Sequence, residues 1–355
     1  MKLLTIPLSW IYAAVVGIRH ALFNWGILPR REFDIPIVCV GNLAVGGTGK
    51  TPHTEFLIEE LGKYYNVAVL SRGYKRKTKG FVLANNNSSY KAIGDEPKQI
   101  KLKFPYVPVA VCEKRAEGIE MLRKHHPEVN LVILDDAFQH RYVEAWVNIL
   151  LTDYNNPYYR DHFLPWGRLR DSKSQLKRAN VVIVSKCPNH LTPLDYRLVR
   201  KSIPLAPYQS LYFTSLCSGA AIPLFPELNP PKLLVGKPIT AMSGIANPTE
   251  FIRSLRTQHK IAHNFIFPDH HNYTMSDISM MEKALKKLPF DAPIVTTEKD
   301  AVKLMNSRKI GQDFLRRLYY IPVKVRFEQE QRENFFNVIL QYVRENQKNK
   351  ITHPQ

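Results

Sequence analysis

Val40-Gly41-Asn42-Leu43-Ala44-Val45-Gly46-Gly47-Thr48-Gly49-Lys50-Thr51-Pro52 follows the apolar run Pro36-Ile-Val-Cys-Val40. It precedes a helix-patterned segment, Thr54-Glu-Phe-Leu-Ile-Glu-Glu-Leu61. Strand, glycine-rich turn, Lys-Thr and helix, in that order, is the layout of a P-loop. Gly46, Gly47 and Gly49 let the backbone take positive φ and approach a phosphate closely. The amides from Ala44 through Val45, Gly46, Gly47, Thr48 and Gly49, backed by a helix N-terminus, form an anion cradle. Lys50 reaches the β- and γ-phosphates of a nucleotide, and the Thr51 hydroxyl is a ligand for Mg²⁺. The first position of the pattern is usually glycine and here is Ala44. A plain glycine turn is the bland alternative, and Gly-Lys-Thr between a strand and a helix weighs against it.

Outward from the loop, short apolar runs alternate with helical patterns. Strands are expected at 35–40, 66–71, 106–112, 131–134, 147–152 and 181–185. Such runs imply a mostly parallel α/β sheet of the P-loop NTPase type, with helices on both faces. Residues 202–238 are rich in proline and lack a period, which suggests a connector. Further βα units then follow, at 239–244 with a helix from Pro248 and at 293–297 with a helix from Asp300. A strand at 318–327 and a helix at 328–347 close the pattern. The expected domains are an apolar N-terminal helix (1–30), a P-loop core (31–205), a connector (206–238), a smaller α/β domain (239–347) and a frayed polar tail (348–355).

The chain has 355 residues and a formal net charge of +19. That excess implies an anionic partner: nucleic acid, an anionic membrane surface or a phosphorylated substrate. No aromatic-basic interleaving or nucleic-acid motif is visible, so nucleic acid is not expected. Cys39, Cys112, Cys187 and Cys217 are scattered without Cys-x-x-Cys spacing, so zinc is not expected and buried thiols in a reducing compartment are. Residues 3–18 are apolar and aromatic, followed by Arg19-His20. A signal peptide is disfavoured by the single charge at Lys2 and the lack of a small-x-small cleavage site. Pro7 and Gly17 interrupt a run already short for a membrane span. A membrane-surface helix fits better, with Trp10, Tyr12 and Trp25 at the interface and Arg19, Arg30 and Arg31 toward headgroups. A packed core helix is the alternative.

Four further constellations carry candidate chemistry. Leu131-Val-Ile-Leu-Asp135-Asp136 has the form of a strand whose terminal carboxylates hold Mg²⁺ beside a P-loop. Gly94-Asp95-Glu96-Pro97 reads either as a helix cap at Asp95 or as a catalytic base awaiting a hydroxyl. Phe267-Pro-Asp-His270-His271-Asn-Tyr273 admits a metal site, a solvated turn, or an imidazole that polarises a carboxylate. Ser71-Arg-Gly-Tyr-Lys-Arg76 and Trp166-Gly-Arg-Leu-Arg-Asp171 are Arg-rich loops suited to phosphates or headgroups, or merely solvated basic faces. Thr296-Thr-Glu-Lys-Asp300 ends a strand and has no mechanism legible from its residues. Val181-Val-Ile-Val-Ser-Lys-Cys-Pro188 stands where a GTPase reads guanine, and Pro188 offers no carboxylate for that task.

In this order, these motifs resemble the tetraacyldisaccharide 4'-kinase family of lipid A biosynthesis over nearly the whole chain. The resemblance is carried by the loop at 40–52, Ser-Arg-Gly-Tyr at 71–74, Gly-Asp-Glu-Pro at 94–97 and Asp-Asp-x-Phe-Gln-His at 135–140. Gly-Arg-Leu-Arg-Asp at 167–171, Phe-Pro-Asp-His-His at 267–271 and Thr-Glu-Lys-Asp-Ala-Val-Lys at 297–303 continue it. That family tolerates a small residue at the position of Ala44. Ala137 replaces a glycine usual there, and Asp171 replaces Glu with a shorter reach. The resemblance implies transfer of the γ-phosphoryl of ATP to the 4'-hydroxyl of a tetraacyldisaccharide 1-phosphate, at the cytoplasmic face of the inner membrane. It implies Asp95 as base with His270 as dyad partner and Lys50 on the phosphates. Thr51, Asp135, Asp136 and Asp171 are then the expected Mg²⁺ set. The competing reading is a P-loop NTPase acting as a switch or motor on an anionic partner, which leaves the apolar N-terminus without a use.

Overall fold

The computed structural model describes residues 5–288, 291–305, 310–328 and 331–352. The first half runs α1 (Ile6–Asn24), β1 (Ile37–Asn42), α2 (Lys50–Leu61), β2 (Val67–Ser71), β3 (Val82–Leu83), α3 (Tyr90–Ile93), α4 (Asp95–Lys103), β4 (Val109–Val111), α5 (Arg115–His125), β5 (Leu131–Asp135) and β6 (Val147–Asp153). The second half runs β7 (Val181–Ser185), α6 (Pro193–Ser202), β8 (Ser210–Ser218), β9 (Ile222–Pro223), β10 (Pro238–Ser243), α7 (Pro248–Arg256), β11 (Lys260–Ile266) and α8 (Met275–Leu285). It ends with β12 (Ile294–Thr297), α9 (Glu298–Leu304), α10 (Gln312–Arg316), β13 (Leu318–Ile321), β14 (Val323–Phe327) and α11 (Gln331–Thr352). Two compact units result. One holds Met1–Asn87, Ile100–Leu216 and Val325–Gln355, and the other Ser88–Gln99 and Cys217–Lys324.

The first unit is built on a nine-stranded sheet in the order β14-β8-β7-β6-β1-β5-β2-β4-β3. Strands β8 through β4 pair in parallel along that order, and β3 is antiparallel at the edge. Every residue of β1, β2, β5 and β7 is buried, as uninterrupted apolar runs in a sheet covered on both faces require. The second unit carries a five-stranded sheet, β11-β10-β12-β13-β9, with its own core around Met242, Phe265, Met281, Ile294 and Phe314. All four cysteines are unpaired thiols.

The first helix is inverted relative to an ordinary amphipathic helix. Leu8, Ile11, Val15 and Ile18 face outward with Trp10 and Trp25, the two tryptophans 70% and 74% exposed. The inward stripe includes Ser9, Tyr12, Arg19 and His20, each bonded to the body of the unit.

Three boundaries differ from the sequence-based expectation. The expected connector at 206–238 contains β8, a full strand of the larger sheet, and β9 of the smaller one. A proline-free run from 208 to 222 lies inside an otherwise proline-rich stretch, and prolines at its flanks do not prevent it from pairing. The expected single strand at 318–327 is broken at Pro322, which has no N–H for a ladder, and its halves enter different sheets. Residues 325–355, expected in the smaller domain or its tail, fall in the first unit, while 88–99, expected in the P-loop core, fall in the second. Helix α11 runs on to Thr352, and 353–355 of the expected tail lie outside the described residues.

Candidate active site

Strand β1 ends at Asn42 and α2 begins at Lys50, so the glycine-rich loop spans the strand-to-helix turn. Gly46 has φ 109° and Gly49 φ 81°, conformations that only glycine adopts without strain. The loop is strapped from outside. Val45 N donates to Arg168 O at 2.7 Å, Asn42 Nδ2 to Thr48 Oγ1 at 2.8 Å, and Ser185 Oγ to Thr48 O at 2.8 Å. Beneath it, His53 on α2 lies 2.7 Å from Gly49 O and 3.0 Å from Thr214 Oγ1. Burial brings its pKa down to about 4, so it is a neutral structural imidazole. Val45, Gly46 and Gly47 remain exposed, and Lys50 and Thr51 half-exposed. The amides of Val45 and Thr48 are taken up by Arg168 O and Gly46 O, which leaves exposed Gly46 and Gly47 before the helix N-terminus as the place for a phosphate.

The parallel register of β1 with β5 aligns Val40 with Asp135. Asp135 therefore emerges at the end of the sheet that carries the loop, where α/β folds place their ligands. It is buried and accepts from Thr54 Oγ1 of α2 at 3.1 Å. Asp136 turns out of the strand at φ 49°, a left-handed conformation that Asp tolerates. Its carboxylate is 3.8 Å from Lys50 Nζ and forked by Arg170, whose Nη2 also reaches Asn42 Oδ1 at 2.5 Å. Burial raises the pKa of Asp136, but the Lys50 and Arg170 cations lower it by more, so it stays ionised. Arg115 and His140 stand close by, with Arg115 N donating to His140 Nε2 at 3.4 Å. Burial and the cations Arg115, Arg19 and Arg72 push His140 down to about 4.

Asp171, expected with the metal set, is engaged elsewhere. It is 1% exposed, and its Oδ1 sits 2.5 Å from His20 Nε2 and 2.8 Å from Ser172 N. Arg141 donates to His20 Nδ1 at 2.9 Å, so Nε2 carries the proton directed at Asp171. The carboxylate is thus a buried anchor for α1. The shorter reach of Asp relative to Glu matches this place beside the imidazole.

The second candidate group lies within the other unit. Asp95 is the first residue of α4, and its Oδ2 is 3.1 Å from His270 Nδ1. His270 has φ 60°, and its amide donates to Gly244 O at 3.2 Å. Gly244 N in turn donates to buried Asp300 at 2.8 Å, which fixes the loop that presents the imidazole. Lys299 and Lys303 both approach this group from α9. Lys299 Nζ is 3.1 Å from His270 Nε2 and 3.4 Å from Glu96, while Lys303 Nζ is 3.6 Å from Asp95 and 3.4 Å from Asp300. Burial raises the pKa of Asp95. The His270 bond, then Lys303 and Lys299, lower it by more, so the net direction is down.

The pattern of the tetraacyldisaccharide-1-P 4'-kinase family matches residues 1–343. The chain belongs to that family. It is a kinase enzyme that uses ATP. The chain is 47% identical to the tetraacyldisaccharide 4'-kinase of Phocaeicola vulgatus over 349 residues, covering 97% of this chain and 95% of the relative. It is 40% identical to that of Flavobacterium johnsoniae over 347 residues, covering 98% of each. The crystal structure of LpxK from Aquifex aeolicus in complex with ATP is similar at a TM-score of 0.73 and 25% identity, covering 96% of this chain and 99% of that one.

Several residues of this tetraacyldisaccharide-1-P 4'-kinase family member escaped the sequence reading. Thr54 fastens Asp135 and Asn42 steadies Arg170, yet each is an ordinary residue in its segment, while Arg170, expected on phosphates or headgroups, is fastened to Asp136. The role of His20 had no sequence signal, because its partners lie more than a hundred residues away. Lys299 and Lys303 did leave one: residues four apart share a helix face.

Proposed function

We propose that this chain transfers the γ-phosphoryl group of ATP to the 4'-hydroxyl of a tetraacyldisaccharide 1-phosphate. The observation that carries the reading is the alignment of Lys50, Asp136 and Arg170 at the end of β1 and β5, beside an exposed glycine loop. Lys50 neutralises phosphate charge, and Arg170 holds the Asp136 carboxylate at the sheet edge. Thr51, Asp135 and Asp136 are hard oxygen donors, which suits Mg²⁺. Among the described residues, no three His, Cys, Asp or Glu groups could hold a metal by themselves.

Asp95 is the base in this reading. A carboxylate with a lowered pKa is a weak base, but phosphoryl transfer passes through a loose transition state in which positioning outweighs proton abstraction. His270 holds the carboxylate so that its other oxygen can accept the hydroxyl proton while the new O–P bond forms and the γ-phosphoryl leaves ADP.

The acceptor is a lipid, and the outward face of α1 gives the enzyme a means to meet it. Six large apolar side chains that are each more than half exposed, together with the net charge of +19, support an interfacial helix on an anionic membrane. We place the protein peripherally at the cytoplasmic face of the inner membrane. Transfer of the labelled γ-phosphoryl group of ATP to the acylated disaccharide, with ADP as the leaving product, tests the activity. Turnover of ATP that does not depend on the acceptor would favour the switch or motor reading instead. Lys50→Ala should lose transfer by orders of magnitude, since the cation acts on charge developed in the transition state.

A further inference from the structure

Tyr12, expected among the interfacial aromatics of α1, is half-buried and turned toward the stretch Phe163–Asp171. That stretch is held from two sides. On one side it pairs with the glycine-rich loop. Leu169 and Ala44 form an antiparallel bridge, Val45 N donates to Arg168 O at 2.7 Å, and Arg170 N donates to Leu43 O at 2.9 Å. On the other side it carries α1. The Tyr12 hydroxyl donates to Arg170 O at 3.1 Å, and its ring meets that of Phe163 with centroids 6.1 Å apart. Trp166 N donates to the Ser9 hydroxyl at 2.9 Å, and that hydroxyl lies 3.1 Å from Phe163 O. Arg170 joins the two sides. Its amide goes to the loop, its carbonyl to α1, and its guanidinium to Asp136 and Asn42. A second route runs beside this one. Arg19 Nη2 donates to Gln139 O at 2.9 Å, and Gln139 Nε2 donates at 2.7 Å to Asn42 O, at the end of β1.

We infer that Tyr12 is a positioning residue for the nucleotide site, acting through Arg170. The inference rests on the reading of Lys50, Asp136 and the glycine-rich loop as that site. An apolar seam would hold α1 on the protein without fixing its register, because hydrophobic contact has no direction. A phenol on one carbonyl fixes the seam to within a hydrogen-bond length. The path from there is short: Tyr12 to the Arg170 backbone, the Arg170 guanidinium to Asp136, and Asp136 to Lys50 Nζ at 3.8 Å. Phosphoryl transfer depends on such placement, since catalysis there is almost entirely positioning and charge stabilisation.

The test is Tyr12→Phe in the full chain, which removes the hydroxyl and keeps the ring against Phe163. Transfer to the acylated disaccharide 1-phosphate is measured in detergent micelles across ATP and Mg²⁺ concentrations. In the variant, kcat/KM for ATP falls about threefold to tenfold, the reach of one neutral hydrogen bond, and the half-maximal rate needs more Mg²⁺. KM for the acceptor and flotation with phosphatidylglycerol vesicles stay as in the parent, because the outward face of α1 is untouched. Ser9→Ala releases Trp166 N in the same stretch, shifts the ATP and Mg²⁺ responses in the same direction, and serves if Tyr12→Phe does not fold. A hydroxyl that only stabilises the fold lowers Tm and leaves both responses alone. ATP and Mg²⁺ responses equal to the parent's, a loss carried by KM for the acceptor, or a loss that tracks weakened flotation overturns the inference. Failure of the nucleotide-site reading is seen separately, as transfer retained in Lys50→Ala.

Discussion

Replacing Lys303 by Met removes a cation that is 1% exposed from between two carboxylates. Its Nζ is 3.6 Å from Asp95 and 3.4 Å from Asp300, and Asp300 is itself fully buried. At an effective dielectric of about 20, each of these pairs is worth roughly 4–5 kcal/mol before desolvation is counted. Desolvation of the ammonium cancels much of that, so the pair is not a large net gain. The asymmetry is what matters: Met fills the space but removes the buried cation near both carboxylates, leaving Asp95 to His270 and Lys299 and Asp300 to its hydrogen bonds from Gly244 N and Thr297. Breaking a buried pair in this way costs about 3–5 kcal/mol. The loss should be confined to the second unit, so amide exchange in α9, not a global melt, is the assay.

The pH dependence of that loss has a definite sign. The pKa of Asp95 is lowered in the fold, so its contribution to stability is present above the unfolded Asp value of about 3.9 and is lost as pH falls through the folded value. Lys303 is one of the causes of that depression. The difference between parent and variant is therefore greatest near neutrality and shrinks as the solution is acidified and Asp95 protonates. Protection of α9 that is unchanged in Lys303→Met, or a deficit that does not vary with pH, would refute the reasoning.

Other expectations follow from the same contacts. Asp95→Ala and His270→Ala should each lower kcat strongly with ATP binding retained, and the double variant should be little worse than the poorer single one; strictly multiplicative losses would leave Asp95 acting alone. Asp171→Ala strands a buried imidazole N–H and should cost about 1–3 kcal/mol, read as a lower Tm. The Mg²⁺ dependence of transfer should not move, and a weakened Mg²⁺ response would return Asp171 to the metal set. Replacing Trp10, Ile11, Val15 and Ile18 by Ser should reduce flotation with phosphatidylglycerol vesicles, and high salt should weaken the parent's flotation only in part. Equal flotation of the variant would remove α1 from the membrane contact.

The sequence disclosed the first unit well where structure is local. Strands β1, β2, β5, β6 and β7 are apolar runs bounded by turns, and the loop from Ala44 to Thr51 carries its chemistry in consecutive residues. The strand β8 was hidden because flanking prolines colour the whole segment, although none lies within the strand. The assignment of 88–99 to the second unit was illegible, since it depends on where the Asp95 and Glu96 side chains find partners, and those are on elements far along the chain. The bond of Asp171 to His20 was illegible for the same reason. A carboxylate beside an Arg in a motif resembles a ligand until the buried His20 that claims it is seen.

The inverted first helix separates two tasks that a helix usually performs with one face. Docking on the protein relies on hydrogen bonds from Ser9, Tyr12, Arg19 and His20 and on buried Phe23 against Tyr142, while the outward Leu8, Trp10, Ile11, Val15 and Ile18 stay more than half exposed. Each face is consequently free to vary without regard to the other. The outward positions form an adjustable keel that can be made heavier, lighter or wholly water-soluble, while the inward polar latch keeps α1 seated on the loops that carry Gln139, Arg170 and Asp171.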